Sequence, residues 1–352
     1  MDCASMADVS GSNGAVGAGS PVCILGMHRA GTSMVSRLMH DCGLELGDEQ
    51  DLMPPSEEDN SQGYWENLKF VEINNELLAA YGGTWNSLPK LPNGWTADKR
   101  LEPIRERARS LVSEFAGKGH WGWKDPRMCV TLEFWRELVP DMRVVLCVRA
   151  PEIVAQSFAI RTVSQASRSE AFALWRDYYN SALRALGGTR FVTTHYVSYF
   201  YDAEQELERV LDSAGMAGAN GHVAEAVRTI DPKLWRGVPM PDEDRIRLVP
   251  PDVLELYERL REMGGPVMAK LMRDVAFQEK LQKASYRKLL DRVERLERIN
   301  LEQAEEIARL TRASGRKAKL KAALGLGSSA EERKAAFSSL WGGIARRVSR
   351  RP

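Results

Sequence analysis

At 352 residues the chain is long enough for one large α/β domain with an appendage. A net charge of +1 excludes a global field of the kind that gathers nucleic acid, and five scattered cysteines without a C-x-x-C pair exclude a zinc spacing and suit a reducing cytosol. No run approaches the roughly 20 apolar residues of a membrane span. Residues 1–20, rich in Gly, Ser and Ala, lack the basic and apolar regions of a signal peptide and read as a disordered lead.

In chain order, the apolar run at residues 22–25 predicts a buried strand. Gly26 opens a loop, and Gly31-Thr32-Ser33 begins a helix with Met34, Val35 and Leu38 on its apolar side. Strand, Gly-bounded loop and helix form a phosphate cradle, because loop N–H groups and the helix N-terminus converge on an anion. An ordinary strand–turn–helix junction has the same outline. The spacing from Gly26 to Gly31 matches a Walker loop, but Thr32 stands where its Lys belongs, so a shorter phosphate group is favoured over a triphosphate. Arg29 is the nearest cation.

Residues 44–63 are acidic and irregular and read as a surface excursion. Gly63-Tyr64-Trp65-Glu66-Asn67 enters a helix running through Leu68, Val71, Ile73, Leu77 and Leu78. Residues 82–93 read as a loop carrying Trp85, and residues 103–115 as a charged helix. Trp121 to Trp123 suggests a strand end, Lys124-Asp125-Pro126-Arg127 a polar turn, and residues 128–138 a helix. The continuous apolar run 144–148 fits a strand buried on both faces, with Pro151 placed to start the next helix. A helix with Trp175, Tyr178 and Leu183, a strand over 190–196 and a helix over 202–214 follow. Residues 230–251 read as loop, and 254–263 as a last domain helix broken by Gly264-Gly265-Pro266. The repeated strand–helix units predict an α/β domain over residues 21–270, a parallel sheet flanked by helices.

From about residue 275 the character changes. Leu289, Val293, Leu296, Asn300, Gln303, Ile307 and Leu310 alternate at four and three residues. That is a coiled-coil seam over 275–312, suited to a parallel homodimer, though one solvated helix would share its charges. Residues 313–352 hold ten Lys or Arg against two Glu, a surplus of eight that leaves the rest of the chain at about −7. There Phe337, Leu340, Trp341, Ile344 and Val348 fall on one helical face beside Arg346, Arg347, Arg350 and Arg351. This tail fits either a peripheral contact with an anionic membrane surface or a solvated basic end. The expected location is cytoplasmic, with any membrane contact at the inner surface.

Three constellations fall at the carboxyl ends of strands, where open α/β sheets bind ligands. The loop offers Arg29, Thr32 and Ser33; Lys124 offers a second, mobile cation; Arg149 and Ser157, eight residues apart, can share a phosphate. Two phosphate-reading sites suggest a nucleotide phosphorylated at two separate positions.

These residues resemble the P-loop sulfotransferases that use PAPS (3′-phosphoadenosine 5′-phosphosulfate). The loop Gly26-Met27-His28-Arg29-Ala30-Gly31-Thr32-Ser33 resembles their 5′-phosphosulfate loop, with Arg29 in the cationic position. The segment from Arg149 to Ser157 resembles their 3′-phosphate element. Trp121 to Arg127 and Gly63 to Glu66 are similar to the bacterial polysaccharide-type members. The likeness covers about residues 20–265, with only a weak echo of a further nucleotide element in Trp235-Arg236-Gly237. It implies a P-loop sulfotransferase fold, PAPS as co-substrate with 3′,5′-ADP as product, no required metal, and an acceptor hydroxyl on a carbohydrate or glycolipid. It places Arg29, Ala30, Gly31, Thr32, Ser33, Arg149 and Ser157 against the nucleotide. Arg29 and the helix N-terminus would face charge growing on the bridging oxygen, and Lys124 the sulfuryl oxygens. Glu66 is the implied base, with aromatic neighbours as a sugar platform; His28 and Asp125 are its rivals. His195 reads as structural. Two other readings stay open on sequence: an ATP-dependent P-loop phosphotransferase, and a non-catalytic coiled-coil scaffold at a membrane surface.

Overall fold

Four short segments become the strands of one parallel sheet. The computed structural model describes residues 20–279 apart from 57–59, 61, 116, 162–167 and 233–241, together with Lys283, Arg298, Glu302 and Arg309. The chain divides into two units, Met1–Ser285 and Tyr286–Pro352. The expectations for the lead, the coiled-coil seam and the basic tail fall almost wholly outside the described residues.

In the first unit β1 (Val22–Leu25) leads into α1 (Thr32–Asp41), and α2 (Leu68–Ala79) and α3 (Glu102–Ser113) precede β2 (Gly122–Lys124). Then come α4 (Met128–Leu138), β3 (Arg143–Val148), α5 (Pro151–Arg161), α6 (Arg168–Ala185) and β4 (Phe191–His195). The unit closes with α7 (Ala203–Ser213), α8 (Val223–Arg228), α9 (Asp242–Leu248), α10 (Pro251–Glu262) and α11 (Gly265–Arg273). The sheet order is β2-β1-β3-β4, with every pairing parallel.

Both faces of the sheet are covered, as the apolar runs of β1 and β3 require. Successive residues of a strand point to opposite faces. Cys23, Leu25, Val144, Leu146 and Val148 join one core with residues of α2 to α6 and α10, and Val22, Ile24, Val145 and Cys147 join the other with residues of α1, α7 and α8. All strand carboxyl ends therefore open on one edge, where the three predicted constellations lie.

Two local readings change. Residues 230–251, expected as loop, contain α9. Its inward contact is a charge: Arg245, 3% exposed, meets Glu152 at 3.0 Å, so no apolar stripe betrays the helix. In α2 the buried face uses Phe70 and Asn74, both fully buried, while Leu68 is 41% exposed. Asn67 caps that helix by accepting from the Lys69 N–H. Among the described residues no helix is long and apolar enough to cross a membrane.

Candidate active site

The loop between β1 and α1 is shaped by two glycines and one strained arginine. Gly26 has φ +151°, and a Cβ there would stand 2.3 Å from the Cys147 carbonyl oxygen, so only glycine lets the loop leave β1 so close to β3. The turn closes where the Ala30 N–H donates to the Met27 carbonyl at 3.0 Å. Arg29 has φ 73° and Gly31 φ 91°. Gly31 provides no side chain to cap α1, so the helix turns its first N–H groups toward whatever anion the loop holds. Thr32 and Ser33 open that helix, and Ala30 is buried beneath the loop.

The segment from Arg149 to Ser157 docks directly onto this loop. Arg29 Nε donates to Ser157 Oγ at 3.0 Å, and Arg149 Nη1 donates to the Arg29 carbonyl at 3.1 Å. The Arg149 guanidinium lies 4.3 Å from the centroid of the Tyr196 ring, and Trp175 Nε1 donates to the Arg149 carbonyl at 3.2 Å. Arg29 thus bridges the β1–α1 loop and the segment from Arg149 to Ser157.

Lys124 differs from the expectation of a mobile cation. It is the last residue of β2, its side chain is 1% exposed, and its Nζ lies 2.6 Å from Glu66 Oε1. Glu66 reaches it from 58 positions away because the chain turns sharply before α2, with Gly63 at φ 86° and Trp65 at φ 60°. The Trp65 indole donates to the Gln62 carbonyl at 2.9 Å and packs on His40 at 4.9 Å, so this ring supports the turn. Arg127 Nη1 lies 3.8 Å from the second Glu66 oxygen.

Asp125 sits beside this pair with a different task. It is fully buried and accepts from the Arg127 backbone N–H and Nη1, each at 2.9 Å, and from Asn74 Nδ2 at 2.8 Å. Lys124 therefore finds its carboxylate in Glu66 and not in Asp125. Asn74 in turn accepts from Thr131 Oγ1 at 2.7 Å and Trp135 Nε1 at 2.8 Å. Sequence reasoning gave Asn74 and Arg127 no role. The available signal was a polar residue on the apolar stripe of α2, between Ile73 and Leu77.

His28 completes the cluster from inside the loop. Its ring lies 4.7 Å from that of Trp85 and 5.9 Å from that of Tyr178. Its Nε2 is shielded from solvent and meets no partner among the described residues. Burial, and then the charges of Arg127, Lys124 and Arg29, hold its pKa well below the usual value, so the ring is neutral at physiological pH. His195 is structural, as read from sequence: it is buried, its Nε2 meets the Leu260 carbonyl at 2.9 Å, and burial lowers it to about 4.

Lys124 and Arg127 thus meet the carboxylates of Glu66 and Asp125, while Arg29 meets Ser157 and Arg149 meets the Arg29 carbonyl. Cationic side chains beside backbone donors and a helix N-terminus suit an anionic ligand. Among the described residues no group of three or more His, Cys, Asp or Glu is placed to hold a metal ion.

A parallel α/β sheet with a Gly-bounded loop after its first strand, flanked by Arg29 and Arg149, frames the site. Residues 21–219 match the sulfotransferase family, and the chain belongs to that family. It is a sulfotransferase, an enzyme of sulfuryl transfer. Solved structures similar to it include sulfotransferase STF9 from Mycobacterium avium, 16% identical, covering 60% of this chain and 69% of that one with a TM-score of 0.38. Sulfotransferase STF1 from Mycobacterium tuberculosis H37Rv is 15% identical over 70% of this chain and 77% of that one, with a TM-score of 0.41. The sulfotransferase domain of the Synechococcus PCC 7002 olefin synthase is 16% identical over 69% and 96%, with a TM-score of 0.39. No curated protein matches the chain.

Proposed function

We propose that this sulfotransferase takes its sulfuryl group from PAPS and passes it to a hydroxyl of a carbohydrate or glycolipid, as a member of the bacterial polysaccharide type. The observation that carries the donor is the bridge at Arg29, hydrogen-bonded to Ser157 and contacted by Arg149. It joins a loop suited to a 5′-phosphosulfate to a turn suited to a 3′-phosphate. Thr32, in place of a Walker lysine, weighs against ATP.

PAPS supplies a sulfuryl group already activated by a phosphate leaving group. Arg29, the backbone of Ala30 and Gly31, and the hydroxyls of Thr32 and Ser33 would hold the 5′ end; Arg149 and Ser157 would hold the 3′-phosphate. Arg29 and the α1 N-terminus face the position where leaving-group charge grows, and preorganised donors there lower the barrier. Lys124, held by Glu66, serves the sulfuryl oxygens. Glu66 is the proposed base: its carboxylate takes the proton of the acceptor hydroxyl as that oxygen attacks sulfur and the S–O bond to the nucleotide phosphate breaks. The scheme needs no metal.

Calorimetry tests the donor. Binding of 3′,5′-ADP should be far tighter than binding of ATP, and the reverse order would overturn this assignment. Radiolabelled PAPS with a glycan array tests the acceptor. Glu66→Gln should lower turnover, and near-full turnover in that variant rejects Glu66 as the base.

A further inference from the structure

The loop over residues 82–93 carries an aromatic ring to the donor loop. Buried Tyr178 fastens it there, its hydroxyl donating to the Trp85 carbonyl at 2.6 Å. The half-buried Trp85 ring then lies 4.7 Å from His28 and 5.8 Å from Phe158. Within the wall so formed, His28 Nε2 is shielded from solvent and meets no partner among the described residues. The wall begins one residue from Arg29.

We propose that Trp85 and His28 form the acceptor subsite, with the Trp85 ring stacking on the C–H face of a sugar ring and His28 Nε2 hydrogen-bonding one of its hydroxyls. The inference rests on the carbohydrate reading given above and adds the residues that select the acceptor.

Three features fit a neutral polyol. An aromatic face carries partial negative charge and attracts weakly positive C–H groups. The imidazole is neutral, with burial the main cause and Arg127, Lys124 and Arg29 adding to it; Tyr178, facing it from α6, is itself uncharged because burial raises its pKa. A neutral imidazole nitrogen either donates or accepts according to tautomer, and a hydroxyl can answer both, whereas a carboxylate or an ammonium answers one. Placement beside Arg29 sets a bound sugar next to the sulfuryl donor, as in-line attack requires.

The test uses the full chain, radiolabelled PAPS, a panel of methyl glycosides and 4-nitrophenol, with 3′,5′-ADP affinity measured alongside. The intact protein should sulfate at least one glycoside. Trp85→Ala should raise the acceptor KM about tenfold, a difference of about 1.4 kcal/mol. Trp85→Phe should raise it less, and His28→Phe, which keeps a ring but removes the nitrogen, should also raise it. The 3′,5′-ADP affinity should stay within about twofold in all three, as an intact donor loop requires. An unchanged acceptor KM in Trp85→Ala and His28→Phe would overturn the subsite while leaving the sulfotransferase reading intact. Loss of 3′,5′-ADP affinity in step with the KM would show that the wall only supports the donor loop, and would overturn it too. Sulfation of 4-nitrophenol but of no glycoside would remove the sugar as occupant, and sulfation of neither would overturn the acceptor reading itself.

Discussion

Lys124 and Glu66 act as a pair, and their burial sets what each substitution costs. Removing one partner strands a charge in a water-poor site, which is typically worth 3–5 kcal/mol. Lys124→Met should therefore lower the denaturant midpoint and cut turnover by roughly 10²–10³, the loss expected for one transition-state cation. Glu66→Gln keeps an acceptor for the ammonium, so it should cost less stability while still lowering turnover. The histidines give a pH dependence. Buried His195 titrates at about 4 in the fold but near its ordinary value, about 6.5, when unfolded. The unfolded chain thus binds more protons between these values, and stability is complete above pH 6.5 and drains as pH falls toward 4, by about 3 kcal/mol from this residue. His28 contributes in the same direction. Denaturant midpoints between pH 7.5 and 5 should fall, and His195→Asn should flatten the slope; a slope unchanged in that variant would refute the assignment.

At the scale of elements, the two loop glycines are not equivalent. A Cβ at Gly26 meets the backbone carbonyl of Cys147 at 2.3 Å, whereas one at Gly31 meets the Tyr196 ring at 2.4 Å. Backbone in a parallel sheet cannot yield without parting β1 from β3, but a tyrosine ring can rotate. Gly26→Ala should be severely destabilising, by more than about 3 kcal/mol. Gly31→Ala should be milder in thermal melting and should lose nucleotide affinity instead, because the ring it displaces carries Arg149. Arg29 and Trp65, the two non-glycine residues at positive φ among the described residues, both flank the chemistry. Strain of this kind persists where surrounding contacts over-determine it. Trp65→Gly relieves the strain but removes the indole's bond to Gln62, so turnover should fall more than stability does.

On the scale of the whole molecule, the division after Ser285 falls inside the predicted seam and leaves its remainder, from Tyr286, with the tail in the second unit. We propose that residues 275–312 pair two chains as a homodimer and that residues 313–352 make the peripheral membrane contact. A chain ending at Ser285 should keep 3′,5′-ADP affinity, sediment as a monomer and fail to co-sediment with anionic liposomes. The full chain should dimerise and co-sediment with them, and a monomeric full chain refutes the seam.

The strands, the Gly-bounded loop and the spacing from Arg149 to Ser157 were legible because they are local. Strand runs are short and apolar, helix starts have fixed chemistry, and a family motif needs only a few neighbouring residues. Sequence alone therefore determined the α/β class, the Gly-bounded loop and several of the residues that gather at it. It could not give their partners, since pairing across 58 positions, as between Glu66 and Lys124, depends on how helices pack over a sheet. Only the tertiary structure decided that Lys124 is buried and held, that Ser157 answers Arg29, that Asp125 belongs to Arg127 and Asn74, and that Trp85 faces His28. Each of these is set by geometry among segments far apart in the chain, and no local pattern encodes it.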